Sequence, residues 1–394
     1  MLHSTTTMNH RFSSRTAWDL AETSYSAALR DVRVSGSAVY DLTVSNPTGC
    51  GFTYDAALLA PLGNPESLVY DPQPRGLLSA REAVSRYYRA HEAQVPPEEL
   101  ILTTSTSESY SFLFRLLCDA GDEVLIAQPS YPLFDFLATL DDVRLKPYPV
   151  FHDHGWWIDF AELERRISER TRAIVVVHPN NPTGHWTRAK ERARLEWLCA
   201  ERGLALIVDE VFLDYGLDRK YEHARSFATA PHPALTFVLS GLSKIAGLPQ
   251  MKAAWIAALG PERLRSEALD RLEVIADTFL SMSAPIQLAL PYWLAGCGDL
   301  QCQIRARAEG NLDQLSSFAL GHPEKLRLLA PEAGWAAVIS LPACGGDAAC
   351  AERMIREHGI VVHPGSFYGM NEPNRAVVSL LTPTEVLEGA LALL

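Results

Sequence analysis

Between about residues 75 and 260, short apolar runs alternate with segments of helical spacing. The runs Glu123–Ala127, Arg144–Tyr148, Ala173–His178, Ala205–Asp209, Thr236–Leu239 and Ala253–Ala258 are mostly Val, Ile, Leu and Ala. Several are continuously apolar rather than alternating, which predicts strands covered on both faces. Helical patterns lie between them. Asp159-Phe160-Ala161-Glu162 reads as a capping box, opening a helix with Phe160, Leu163 and Ile167 on one side. Leu195 and Leu198 mark a second apolar face. Strands and helices in alternation predict an α/β fold with a mostly parallel central sheet covered by helices.

After about Pro261 the pattern changes. One long helical stretch is predicted through roughly Arg307. A strand at Trp335–Leu341, a helix at Ala349–His358 and strands at Ile360–His363 and Ala376–Leu381 follow, and a last helix opens at Thr382-Pro383. This predicts a smaller α+β domain. The division expected is a flexible leader at 1–15, a large domain at 51–280, and a small domain made of 16–50 with 281–394.

Composition narrows the function. The chain has 394 residues, 47% hydrophobic and 21% charged, enough for a sizeable core. A formal net charge of −12 argues against nucleic acid or an anionic membrane surface as the main partner. No apolar run approaches the length of a membrane span, and the first fifteen residues lack the apolar core of a signal peptide. Seven scattered cysteines, without a Cys-x-x-Cys, fit reduced cytosolic thiols better than a disulfide framework or zinc site. His152, His154, His178 and His185 have no metal-like spacing, so no metal is expected.

Four segments carry chemistry. Lys244 lies in Ser240-Gly241-Leu242-Ser243-Lys244, just after an apolar run, where a desolvated amine is able to lose its charge and attack a carbonyl. Thr103-Thr104-Ser105-Thr106-Ser107-Glu108-Ser109 precedes a helix with Leu113, Phe114 and Leu117. Its hydroxyls and free N–H groups suit an anion, though simple capping needs the same residues. His178-Pro179-Asn180-Asn181-Pro182-Thr183-Gly184 follows a strand and reads either as a turn or as a ligand-bearing loop at the sheet's carboxyl edge. Asp209 ends a buried run, where it either caps the next helix or meets a cationic partner such as a protonated ring nitrogen. Together the four describe a pyridoxal phosphate (PLP) site.

From about Asp41 onward the chain resembles the fold-type I, class I/II aminotransferases. The landmarks are Asn46-Pro47, Tyr70 through Gly76, the 103–109 turn, Pro129-Ser130-Tyr131-Pro132, the turn 180–184, Asp209-Glu210 and Ser243-Lys244, in family order. The resemblance implies that Lys244 forms the internal aldimine and then acts as acid and base. It implies that Asp209 pairs with the pyridine nitrogen, Asn181 with the ring oxygen, and Tyr131 with the ring face. Ser105, Thr106, Ser107 and Ser243 would hold the phosphate. Tyr70 would reach the phosphate of a neighbouring subunit, which implies a homodimer. Asn181 and Ser45 would meet substrate, and so, more weakly, would the segment from His363 to Phe367. The reaction implied moves an amino group from an amino acid to a 2-oxo acid by a ping-pong route. The same fold hosts β-eliminating lyases and non-catalytic PLP-binding regulatory modules, which remain alternatives.

The sequence departs from the family pattern at four positions. Phe212 stands where many members have a tyrosine that donates to the ring oxygen, which predicts a high aldimine pKa. Lys252 stands where an arginine commonly binds phosphate. Gly241 replaces a frequent serine. Val377 occupies the position of the arginine that usually holds the substrate carboxylate; Arg375, two residues earlier on the same strand face, is either its substitute or a merely exposed surface arginine, and loss of the usual anchor otherwise points to an unusual amine or a differently held acid. Trp156, Trp157 and Trp186 are candidates for the substrate mouth or for packing.

Overall fold

A strand that is apolar on both faces must be covered on both, so the apolar runs become the middle layer of the molecule. The computed structural model describes residues 12–217 and 225–394. In chain order the strands are β1 (Tyr40–Asp41), β2 (Leu100–Thr103), β3 (Glu123–Gln128), β4 (Arg144–His152), β5 (Trp156–Ile158), β6 (Thr171–Val177) and β7 (Ala205–Asp209). Then come β8 (Thr236–Gly241), β9 (Ala254–Leu259), β10 (Arg327–Leu329), β11 (Ala336–Ser340), β12 (Ile360–Val361), β13 (His363–Pro364) and β14 (Arg375–Ser379).

Eight strands form the central sheet in the order β2-β9-β8-β7-β6-β3-β4-β5. Only β9 and β5 run against the rest. All residues of β7 and β8 are buried. Leu206 and Val208 belong to the apolar cluster on one face, Ala205 and Ile207 to that on the other. The α/β reading therefore holds. Its consequence for function is directional: the carboxyl ends of β2, β8, β7 and β6 meet the start of β9 along one edge. The registers that fix this are Thr103 opposite Ala254, Gly241 opposite Ala254, Asp209 opposite Leu239 and Val177 opposite Asp209.

A second, antiparallel sheet has the order β10-β11-β14-β13, and β1 pairs with β12 beside it. Its cluster draws Tyr25, Ala28 and Leu42 together with residues from Leu300 to Ala390. The helix Ser24–Ser35 packs on the helix Asp347–His358. Of the leader expected at 1–15, residues 1–11 lie outside the described residues, and Arg15 pairs with Asp142 at 3.3 Å.

Several local expectations are corrected. The single helix after Pro261 is three: Glu262–Phe279, Ala284–Gly296 and Gly298–Gly321. The first ends because Leu280 turns left-handed at φ 44°, and the second restarts with a proline in its first turn. The run Ile360–His363 is broken at Val362, and its halves join different neighbours. In the last helix Pro383 caps Thr384–Leu393 from outside. Cys344 and Cys350 are joined as a disulfide across the start of the helix Asp347–His358, against the expectation of thiols throughout. Gly345 and Gly346, both at positive φ, fold the chain back and leave the two Cα atoms 5.4 Å apart, a span a disulfide bridges. The other five cysteines are free.

Candidate active site

The strand-end edge opens into a cavity of about 560 Å³, where the central sheet faces β11, β13 and β14. Lys244, Asp209, Asn181, Tyr131, Ser105, Thr106, Ser107, Ser243, Lys252 and Ser45 all line it. Ten candidates from distant parts of the chain are thus brought together. Two are not. Tyr70 is 81% exposed and lines a separate cleft beside Leu280 and Met282. Arg375 opens β14 and is absent from the cavity lining; Val377 and Ser379, on the same strand face, are present.

Lys244 follows β8 directly, in the short helix Leu242–Ile245. Its approach demands glycine at 241: a Cβ there would lie 2.8 Å from the Ala253 carbonyl oxygen and 2.9 Å from the Ala254 Cβ. Steric fit to β9 therefore accounts for Gly241 in place of the frequent serine. The Lys244 ammonium stands 4.9 Å from the centre of the Trp335 ring and 5.6 Å from that of Phe212. Burial lowers its pKa to about 8, with Asp209 acting in the opposite direction. Such a lysine is able to shed its proton and act as a nucleophile near neutral pH.

Asp209 ends β7. Its carboxylate accepts from the Tyr110 hydroxyl at 3.2 Å and from the Val211 N–H at 3.1 Å. These donors do not offset burial, which pushes its pKa up to about 6. A buried carboxylate held this way gains most from a cationic partner placed in the cavity.

The helix Thr106–Leu117 begins at the cavity wall. Ser105 caps it by accepting from the Glu108 N–H at 3.2 Å. The capping and anion-binding readings of this segment thus coexist: the Ser105 hydroxyl serves the cap, while the helix N-terminus and the residues Thr106 and Ser107 face the cavity. Ser109 does not take part; its hydroxyl is buried against Thr103 at 2.8 Å. Asn181 sits in a turn that the Asn180 side chain holds by accepting from the Thr183 hydroxyl at 2.8 Å. Gly184 closes that turn at φ 67°, where a Cβ would lie 2.3 Å from Pro331.

The remaining wall contains residues that pattern reading did not assign to the site. Trp335, Tyr110 and Tyr368 line the cavity, whereas Trp156 is buried on β5, Trp157 stacks under Arg188 and Trp186 packs over Gly216. Tyr110 was findable, because it lies four residues after Thr106 on one helix face. Trp335 had no local signal beyond Gly334 before it. His363 also lines the cavity, with Nδ1 3.0 Å from the Tyr368 hydroxyl, and burial lowers its pKa.

A buried lysine, a buried carboxylate and a helix N-terminus thus meet at one strand-end edge of an α/β body, an arrangement able to hold a phosphate-bearing aromatic cofactor. Among solved structures, the alanine aminotransferase of Pyrococcus furiosus has this fold, with a TM-score of 0.87 over 97% of this chain and 98% of that one, at 21% identity. The chain belongs to the aminotransferase class I and II family, whose sequence model matches residues 62–393. Among curated relatives, the alanine aminotransferase of Mycobacterium tuberculosis is 29% identical over 269 residues, 67% of this chain and 62% of that protein. The glutamate-pyruvate aminotransferase AlaA of Escherichia coli is 27% identical over 263 residues, 66% of this chain and 64% of that protein. The match thus spans less than two thirds of the length of these relatives. The family is PLP-dependent. No helix among the described residues is long and apolar enough to cross a membrane.

Proposed function

We propose that the protein is a PLP-dependent aminotransferase moving an amino group from an amino acid to a 2-oxo acid by a ping-pong route. The observation that carries this reading is the buried Lys244, with its weakened hold on a proton, in one cavity with the under-paired Asp209. When bound, PLP supplies an electron sink for the charge left at the amine-bearing carbon. Lys244 would hold the cofactor through its amine and, when free of it, would carry the proton to and from the reacting carbon. Asp209 keeps the ring nitrogen protonated. Asn181 would hold the ring oxygen and Tyr131 would lie against the ring. Ser105, Thr106, Ser107, Ser243 and Lys252 would hold the phosphate, Ser45 and Asn181 would meet the substrate, and Arg375 would reach it from outside the cavity lining.

Tyr70 is exposed and lies away from the cavity of its own chain, which supports its reach into the site of a second copy. The working form is therefore a homodimer with shared sites, placed in the cytosol. An absorbance titration of the purified protein tests the activity. A visible band that bleaches with an amino acid and returns with 2-oxoglutarate supports it. Pyruvate and ammonia released without an acceptor would replace it with the lyase reading, and an unchanging band with the binding-module reading.

A further inference from the structure

Both substrates of the reaction proposed above, the amino acid and the 2-oxo acid, carry a carboxylate on the reacting carbon. A carboxylate taken out of water without a cation or donors is strongly disfavoured. The cavity therefore needs a partner for it that the cofactor does not use. The two lysines of the lining, Lys244 and Lys252, are both on the central-sheet side and both assigned above to the cofactor. The facing wall has Val377 at the position of the usual arginine, and the Thr43 hydroxyl beside it already donates to the Asp41 carboxylate at 2.5 Å.

The remaining basic nitrogens of the lining belong to His363. His363 lies directly opposite Val377 in the antiparallel pair of β13 with β14. Residues opposed in this way share a sheet face, with Cβ atoms about 4.5–5.5 Å apart. The imidazole thus stands one strand away from the position without its arginine, and both residues line the cavity. Its Nδ1 is 3.0 Å from the Tyr368 hydroxyl, which fixes the ring, and its Nε2 has no hydrogen-bond partner among the described residues. Burial lowers its pKa, with Asp41 on β1 acting in the opposite direction. The other titratable groups around it are Tyr368, and Tyr25 in the helix Ser24–Ser35, whose hydroxyl donates to the Val362 carbonyl at 3.1 Å. Asp347, in the helix Asp347–His358, accepts from the Ser366 N–H at 2.5 Å, and Lys244 and Tyr131 stand across the cavity.

We propose that His363 is the carboxylate anchor of this site: as an imidazolium it donates from Nε2 to the carboxylate on the reacting carbon and from Nδ1 to the Tyr368 hydroxyl. This rests on the aminotransferase reading and deepens it. The Ser379 hydroxyl, on the strand face of Val377, accepts from the Leu381 N–H at 3.1 Å and keeps its own proton for the second carboxylate oxygen. Arg375, outside the lining, adds only charge at longer range. An arginine stays charged whether or not substrate is present, whereas a buried histidine takes up a proton as the acid arrives. Recognition of the carboxylate is therefore tied to pH in this chain.

The test is the affinity of the holoenzyme for butyrate, an unreactive carboxylate, and for butyramide, its neutral counterpart, followed by the change in the visible band from about pH 6 to about pH 8.5. At the low end the wild type should prefer butyrate roughly tenfold, the size of one hydrogen bond to a charged group. That preference should fall as pH rises through the histidine range. His363→Gln should lose most of the preference and its pH dependence, which separates this effect from titration at Lys244. Val377→Arg in the otherwise native chain, which places a permanent charge beside His363, should hold the preference at high pH and is read even where His363→Gln does not keep its band. The proposal is overturned if the wild type binds butyrate no better than butyramide, if its preference does not change with pH, if His363→Gln keeps that preference, or if Arg375→Gln abolishes it instead. Those outcomes leave the aminotransferase reading standing. A protein with no visible band and no borohydride-trapped cofactor on Lys244 overturns both.

Discussion

The Lys244 ammonium lies 4.9 Å from the centre of the Trp335 ring, and Phe212 meets that ring edge-on at 5.1 Å. Two aromatic faces therefore border the amine, and neither offers it a hydrogen-bond acceptor. Phe212 is 5% exposed and has no hydroxyl to give the ring oxygen of a cofactor attached to Lys244. Phe212→Tyr should supply that donor and stabilise the deprotonated linkage, lowering the pKa of the visible band by about one unit. A spectral pH titration of the two holoenzymes measures it; coincident curves would reject the role given to position 212.

Asp209 and Glu210 are adjacent, buried, and pushed up to about 6 and about 7 respectively by desolvation. Glu210 faces the other way, accepting from the Ser226 hydroxyl at 2.7 Å and the Phe227 N–H at 2.5 Å. A carboxyl whose pKa is raised on folding favours the folded state below its unfolded value, and that advantage is lost as pH rises through the folded value. For Asp209 the window runs from about pH 4 to about pH 6. In the cofactor-free protein, Asp209→Asn should therefore gain on the wild type by on the order of 3 kcal/mol across this window. PLP should cancel most of the gain by giving the wild-type carboxylate its cation. Urea unfolding at several pH values decides it, and a pH-independent difference would contradict the assignment.

What the chain discloses of its own fold follows from how local the determinants are. β7 and β8 are legible because every residue in them is buried, so composition alone reports their place. Asp209, Asn181 and Lys244 are legible because each stands at the end of such a run. The break after the helix Glu262–Phe279 leaves no mark in the sequence, because Leu280 takes a left-handed turn that leucine rarely adopts and no glycine stands there. Trp335 shows in the sequence only as the start of a strand, because its contact with Lys244 joins residues 91 positions apart. Arg375 and Val377 share one face because β14 keeps a regular register with β11. Which residues of that face reach the cavity is set by how β14 lies against β13 and β11, which spacing does not encode.

Lys252 lines the cavity from a left-handed backbone position at φ 50°, and its side chain is solvent-exposed. A lysine there gives the phosphate a point charge without the two-pronged geometry of arginine. Solvent and salt screen such a contact. Lys252→Ala should weaken PLP binding roughly three- to tenfold at low ionic strength, and the gap should close as salt is raised. Cofactor release followed by absorbance at two salt concentrations is the measurement. Equal release rates at low salt would remove Lys252 from the phosphate site.

Arg188 and Glu332 form a two-pronged ion pair, both less than a tenth exposed, that joins the turn after β6 to the segment leading into β11. Glu332 also accepts from the Trp186 N–H at 3.2 Å. Around the pair, the Glu332 and Ala333 N–H groups donate to the Gly184 carbonyl, and the Gly334 N–H donates to the Tyr215 carbonyl at 2.7 Å. The Tyr215 hydroxyl in turn donates to the Lys244 carbonyl at 2.7 Å. Trp335 is thus set over Lys244 by a polar clasp on the residues just before it. Removing one member leaves the other charge buried, which costs about 3–5 kcal/mol, whereas removing both leaves no charge behind. Glu332→Gln should approach that loss in urea unfolding, and Arg188→Met with Glu332→Leu should lose less than either single change summed with the other. A Glu332→Gln loss below about 1 kcal/mol would mean that the clasp contributes no more than an exposed pair, and that packing alone holds Trp335 at the amine.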